Sequence, residues 1–131
     1  MKAIARLEAQ PFTHRIQMGD HLLTVDEPAE KGGRDKGPTP QELLAASLAA
    51  CVAITIEMYT QRKGWELDAI EVECDYDLPE RGAPTRFELV LRLPSGFSDE
   101  QVERVRAIAA RCPIHRTLER QVAFAERIER L

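Results

Sequence analysis

Basic charge is what this sequence most plainly lacks: 18 Lys and Arg stand against 22 Asp and Glu, giving a net charge of -4 and a pI near 5.4. Without a basic field to gather phosphates, a nucleic-acid partner is not expected. A long uninterrupted apolar run is also missing. The longest, Leu43 to Ile56, is broken by Ser47 and Thr55 and falls short of the roughly 18–20 residues that span a bilayer. The opening MKAIARLEAQ has no apolar core of a secretory signal and reads as folded structure. No membrane association is therefore expected, and the cytoplasm is the expected location. Cysteine is scarce, with three residues. In that compartment they are free, metal-bound or catalytic rather than a disulfide framework. There is no C-x-x-C or H-x-x-x-H pair, and Cys112-x-x-His115 alone supplies only part of a tetrahedral zinc set. No metal and no cofactor are expected. Internal repeats and low-complexity segments are absent too.

What is present is an ordinary globular balance, 44% hydrophobic and 31% charged, in a chain of one-domain length covering residues 1–131. Residues 2–9, 13–17 and 21–26 read as three short strands forming a meander. Glu27 to Thr39 carries Glu27-Pro28, Gly32-Gly33 and Gly37-Pro38 and is a loop by its turn signals. Thr39 to Lys63 then predicts a long helix. Thr39 can N-cap it, Pro40 suits its first position, Glu42 completes a capping box and Gly64 stops it. Its middle is apolar all round, so it needs cover on every side, which a small domain can hardly supply alone. A buried central helix in a homodimer is expected.

Beyond Trp65, residues 69–78 alternate Ile70, Val72, Cys74 and Tyr76 with Glu71, Glu73, Asp75 and Asp77, the pattern of a half-buried strand. Arg86 to Leu93 alternates again. Ser98-x-x-Gln101 is a second capping box, opening a helix with Val102, Val105, Ile108 and Ala109 at helical spacing up to Arg111. Pro113 stops that helix or opens a short new one. A last strand is expected over Val122 to Ile128.

Cys51 falls mid-helix on a thin polar stripe, with Ser47 and Thr55 each four residues and about 40° away. A buried Cys in such a place also serves simply as a small hydrophobe. Cys112 stands at a helix boundary among Arg111, His115 and Arg116, cations that would lower its thiol pKa and favour the reactive thiolate. Cys74 faces the apolar side of its strand and reads as core.

GPTPQELLAASLAAC (Gly37 to Cys51), RKGW (Arg62 to Trp65) and CPIH (Cys112 to His115) together resemble the OsmC/Ohr family, the osmotically inducible and organic-hydroperoxide-resistance proteins. The order of strands and helices is similar over nearly the whole chain. The resemblance implies an α+β, OsmC-like fold: antiparallel sheets around a long buried central helix in an intertwined homodimer, with active sites at the subunit interface. It further implies a thiol-dependent peroxidase of the oxidative stress response acting on an organic hydroperoxide. Cys51 would be the peroxidatic thiolate and Cys112 the resolving thiol, with the disulfide reduced by an external dithiol such as a lipoylated protein.

Family members also use an Arg that holds the thiolate and a Glu that orients the Arg. Where the peroxidase branch has Glu directly after the helix-opening Pro, this chain has Gln41, and its carboxylate comes one residue later at Glu42. Glu42 lies about 180° round the helix from Cys51 and already serves the capping box. The peroxidase branch places its Arg about forty residues ahead of the first Cys, and Arg15, 36 residues before Cys51, comes nearest to that spacing. Arg34 has a Gly-Arg context 17 residues before, and Arg62 and Arg111 are further candidates. The pattern is nearest the OsmC-like branch. Beside the peroxidase stand two alternatives: a non-enzymatic ligand-binding or stress-associated dimer with weak or no peroxidase activity, and a Cys/His metal site.

Overall fold

A computed structural model describes residues 1–130. The chain divides into two compact units, Met1–Ala46 and Ser47–Leu131. In the first, β1 (Ile4–Leu7), β2 (His14–Met18) and β3 (His21–Val25) form an antiparallel sheet in the order β1-β2-β3. The register pairs Ile16 with Ala5 on one side and with Leu23 on the other. The meander read from the sequence is therefore present, with β1 and β3 shorter than expected and β2 shifted by one residue.

The loop after β3 is held by one carboxylate. Asp26 is buried and accepts hydrogen bonds from Thr13 Oγ1 and from the backbone N–H groups of Glu27, Arg34 and Lys36, at 2.8–3.3 Å. Its own N–H donates to the Pro38 carbonyl. Burial acts to raise the Asp26 pKa, but the hydrogen bonds together outweigh it and hold the carboxyl below its ordinary value. Close approach fixes the glycines of this loop. A Cβ on Gly33 would collide with the Glu27 carbonyl, and one on Gly37 with the Thr24 carbonyl.

The helix α1 (Pro40–Lys63) runs out of the first unit into the second. Its start is the expected capping box: Glu42 N–H donates to Thr39 Oγ1 at 3.2 Å, and Thr39 N–H donates to Glu42 Oε2 at 2.7 Å. It ends where Gly64 takes φ 66° and the Trp65 N–H returns to the Thr60 carbonyl. Taken as a window rather than as an unbroken run, α1 is long and apolar enough to cross a bilayer, with a mean hydropathy of 1.7. The run Leu43 to Ile56 falls short because Glu42 and Glu57 bound it. A core helix passes the same test, and α1 buries Leu48, Val52, Ile56 and Thr60, one residue per turn, within its own unit. The all-round cover expected from its composition is not met within the chain, since Ile54 and Met58 are exposed.

Against the buried face of α1 the second unit builds its core from Val105, Ala109 and Cys112. Val105 and Ala109 come from α2 (Asp99–Ala109), whose capping box at Ser98 and Gln101 is present as read. The hairpin of β4 (Glu71–Tyr76) and β5 (Phe87–Arg92) lays Val72, Cys74, Phe87, Leu89 and Leu91 on that core. Cys74 is therefore half-buried core, as expected from its place in the alternation. Trp65 packs edge-on between Tyr59 and Phe97, with centroids at 5.5 and 6.0 Å. A short α3 (Pro113–Leu118) follows. The strand expected over 122–128 does not form. That stretch makes no ladder, and Val122, Phe124 and Ile128 are exposed. Its alternation is real, but no edge within the described chain receives it.

Candidate functional site

The site is built where α1 passes the start of α3. On α1 the buried positions 48, 52, 56 and 60 point into the core, which sets Cys51 at the margin of that face. It is half-buried and packed against the core cluster. Thr55 Oγ1 donates to the Cys51 carbonyl at 2.7 Å, the back-bond that lets a helix carry a hydroxyl. The polar stripe of the sequence therefore lines one wall of a groove of about 520 Å³. Ala50, Ile54, Met58 and Pro113 make it apolar, and Arg62 stands on its rim.

Cys112 is placed by the break between two helices. After Ala109 the chain makes a last turn, with the Cys112 N–H reaching the Ala109 carbonyl at 3.3 Å. Pro113 then opens α3 at its first position, and Cys112 becomes the N-cap. Its Sγ accepts the His115 N–H at 3.5 Å. Cys112 is fully buried, and its thiol is within hydrogen-bonding reach of Cys51.

This burial reverses the electrostatics expected from the sequence. The Cys112 pKa is raised, first by burial and then by the hydrogen bond to Cys51. The N–H groups of His115 and Ile114 pull weakly the other way. The cations that would have lowered it point elsewhere. Arg111 and Arg116 are exposed, and His115 Nδ1 lies at ion-pair distance from Glu119, 3.3 Å, without hydrogen-bond alignment. Cys112 is therefore the thiol that keeps its proton, able to donate S–H to the sulfur of Cys51.

The remaining expected residues do other work. Glu42 is engaged with Thr39, whose backbone N–H and hydroxyl hold its carboxyl below the ordinary value. Arg15 pairs with Glu8 at 3.3 Å on the first sheet. The Arg34 backbone binds Asp26. Arg62 is the arginine that shares a groove with Cys51. Among the described residues, no group of three or more His, Cys, Asp or Glu side chains is gathered to hold a metal ion. An apolar pocket along this helix is what the sequence implied, but sequence reasoning did not single out Ile54, Met58 and Arg62 as its lining. The signal was available, because Met58 and Arg62 stand seven and eleven residues after Cys51 and so return to its face of the helix.

Residues 33–127 match the family model of OsmC-like proteins. Over 60 residues the chain is 28% identical to the uncharacterized protein YmaD of Bacillus subtilis; the match spans 46% of this chain and 40% of that protein's length. Among solved structures, the fold is similar to an OsmC-like protein from Mycoplasma pneumoniae, with a TM-score of 0.76, 22% identity, and 90% and 86% of the two chains covered. It is also similar to an organic hydroperoxide resistance protein OsmC from Legionella pneumophila, with a TM-score of 0.66, 22% identity, and 89% and 87% covered.

Proposed function

Since the chain belongs to the OsmC-like protein family, we propose that it is a thiol-dependent peroxidase that reduces organic hydroperoxides through Cys51 and Cys112. The observation that carries this reading is the contact between two thiols of unequal character. One borders a groove, and the other is buried, protonated and directed at the first.

The steps follow from that inequality. The Cys51 thiolate attacks the outer oxygen of the hydroperoxide. The O–O bond breaks, the alcohol leaves with the proton, and Cys51 becomes a sulfenate that takes up a proton. The Cys112 sulfur then displaces hydroxide from the sulfenic acid, its own proton completing a water molecule, and a Cys51–Cys112 disulfide remains. Donation of the Cys112 S–H toward Cys51 places the attacking sulfur for the second step. An external dithiol, such as a lipoylated protein, reduces the disulfide and is itself oxidised to a disulfide. The apolar walls suit an alkyl or aryl peroxide better than hydrogen peroxide.

The homodimer belongs to the same proposal. Ile54 and Met58 are exposed in the single chain, and a second copy over this face would close the groove into a pocket. That would keep water and competing thiols from the sulfenic acid. An Arg partner for the thiolate remains part of the reading. Arg15 would have to leave Glu8 to serve, and Glu42 would have to leave its cap.

The test is intact-protein mass after one equivalent of cumene hydroperoxide. The reduced protein should lose about 2 Da, and Cys51→Ser should not. An unchanged mass with both thiols still titratable would sink the proposal. A second reading, a ligand-binding dimer with little peroxidase activity, draws on the Arg15–Glu8 pair. It predicts equally slow oxidation by hydrogen peroxide and by organic peroxides.

A further inference from the structure

The helix that Cys112 caps has little of its own to hold it. α3 has six residues, all described and none fully buried, and a helix that short has no stability in isolation. Ile114 packs against the core, and Thr117 Oγ1 donates to the Pro113 carbonyl at 2.9 Å. A further tie joins His115 to Glu119, and it is double. The Glu119 N–H donates to the His115 carbonyl at 3.0 Å, and the Glu119 carboxylate stands 3.3 Å from Nδ1 of the His115 ring.

His115 therefore has a contact at each end. Its backbone N–H donates to the Cys112 sulfur at 3.5 Å, and its ring faces Glu119. An exposed pair one turn apart ordinarily adds little to a helix. Two observations separate this pair from that case. The His115 side chain is 27% exposed against 62% for Glu119, and its Nδ1 is buried with no aligned hydrogen bond among the described residues. A buried ring nitrogen in that state is costly until partnered, and Glu119 Oε1 is within reach of a small turn of the ring. The second observation concerns the thiol. Burial pushes the Cys112 pKa up, and the N–H groups of His115 and Ile114 pull against it.

Resting on the peroxidase reading, we infer that Glu119 is a positioning residue for the resolving step, which by holding His115 keeps the His115 N–H on the Cys112 sulfur. The attacking species is the thiolate, so loss of that N–H leaves Cys112 protonated over a wider pH range. Few titratable groups face this thiol. Cys51 comes from α1 and His115 from α3 itself, while α2, β5 and β4 bring Val105, Leu91 and Cys74 to the same core. Cys51 is the sulfenic acid at this step in every variant below, so its effect cancels from the comparison, and Cys74→Ser removes the remaining thiol.

The experiment follows resolution by rapid-quench mass spectrometry in a Cys74→Ser background. After one equivalent of cumene hydroperoxide, the species about 16 Da heavier turns into the one about 2 Da lighter. The rate should rise with pH to a plateau as Cys112 ionises. In Glu119→Ala the midpoint should move up by about one pH unit. Below it the rate should fall about threefold, because greater nucleophilicity offsets part of the lost thiolate, and above both midpoints the variant should equal or exceed the native rate. Glu119→Gln, which keeps an acceptor for the ring, should retain most of the native midpoint. His115→Ala should match Glu119→Ala, and the double variant should shift no further. An unmoved midpoint, the same fall at every pH, or additive shifts would overturn the assignment. A second measurement is independent of peroxide chemistry. In protein carrying Cys51→Ser and Cys74→Ser, the ultraviolet absorbance of the Cys112 thiolate should titrate at higher pH once Glu119→Ala is added. That shift without the 2 Da loss under cumene hydroperoxide would uphold the positioning role and remove the peroxidase. The 2 Da loss with an unmoved titration would do the reverse.

Discussion

Oxidation should stabilise the folded chain by an amount the topology fixes. Joining Cys51 to Cys112 closes a loop of 62 residues, counting both ends. The loop-entropy relation gives about 4 kcal/mol of destabilisation of the unfolded state for a loop of that length. Unfolding entropies near 2.1 cal/mol/K per residue amount to roughly 0.3 kcal/mol/K for this chain, so the melting temperature should rise by about 15 °C. Repositioning the Cys112 sulfur at the start of α3 will reduce that figure by a few degrees. The assay is differential scanning calorimetry of reduced and oxidised protein at one concentration, which holds any association constant. Cys74→Ser removes the third thiol, and Cys112→Ser treated with the same oxidant is the control. A melting temperature that stays level or falls on oxidation, with the 2 Da loss confirmed by mass, would refute the claim that the two thiols meet without distorting the core.

Further outcomes follow from the same geometry. Cys112→Ser should trap Cys51 as the sulfenic acid, a gain of about 16 Da that moves toward about 32 Da with excess peroxide; loss of 2 Da in this variant would show that another cysteine resolves. Because the folded Asp26 pKa is depressed, its contribution is present above the ordinary carboxylate range and is lost as pH falls through the folded value. Asp26→Asn should therefore flatten the acid limb of the stability profile, checked by urea titration from pH 7 to 3. Leu48→Ala, emptying a fully buried site, should cost about 2–5 kcal/mol in the same urea assay. Gly33→Ala should destabilise and expose the 27–38 loop to protease, since its Cβ meets the Glu27 carbonyl.

Local rules recovered most of the architecture, because its elements carry local signals. Both capping boxes, the glycine stop at Gly64 and the two-residue alternation of β4 and β5 were legible and are present. The thiol pairing became legible only through the family resemblance, since 60 intervening residues leave no periodic trace. The charge state of Cys112 was misjudged because sequence neighbours are not spatial neighbours. Arg111 and Arg116 flank it in the chain yet face solvent, while Val105 and Leu48 set its dielectric. Residues 122–128 failed for another reason: an alternating pattern states a willingness to pair, not the presence of an edge.

The His115 amide is bonded to the sulfur of Cys112, which makes a surface helix a gauge of the thiol pair's electron count. A Cys51–Cys112 disulfide, if the proposed cycle forms it, would turn that sulfur about its Cβ. The first turn of α3 must then find another acceptor or fray. The amide resonance of one residue should thus read the oxidation state directly, without label or cofactor. Any partner that reads the outer face of α3 would be reading redox history.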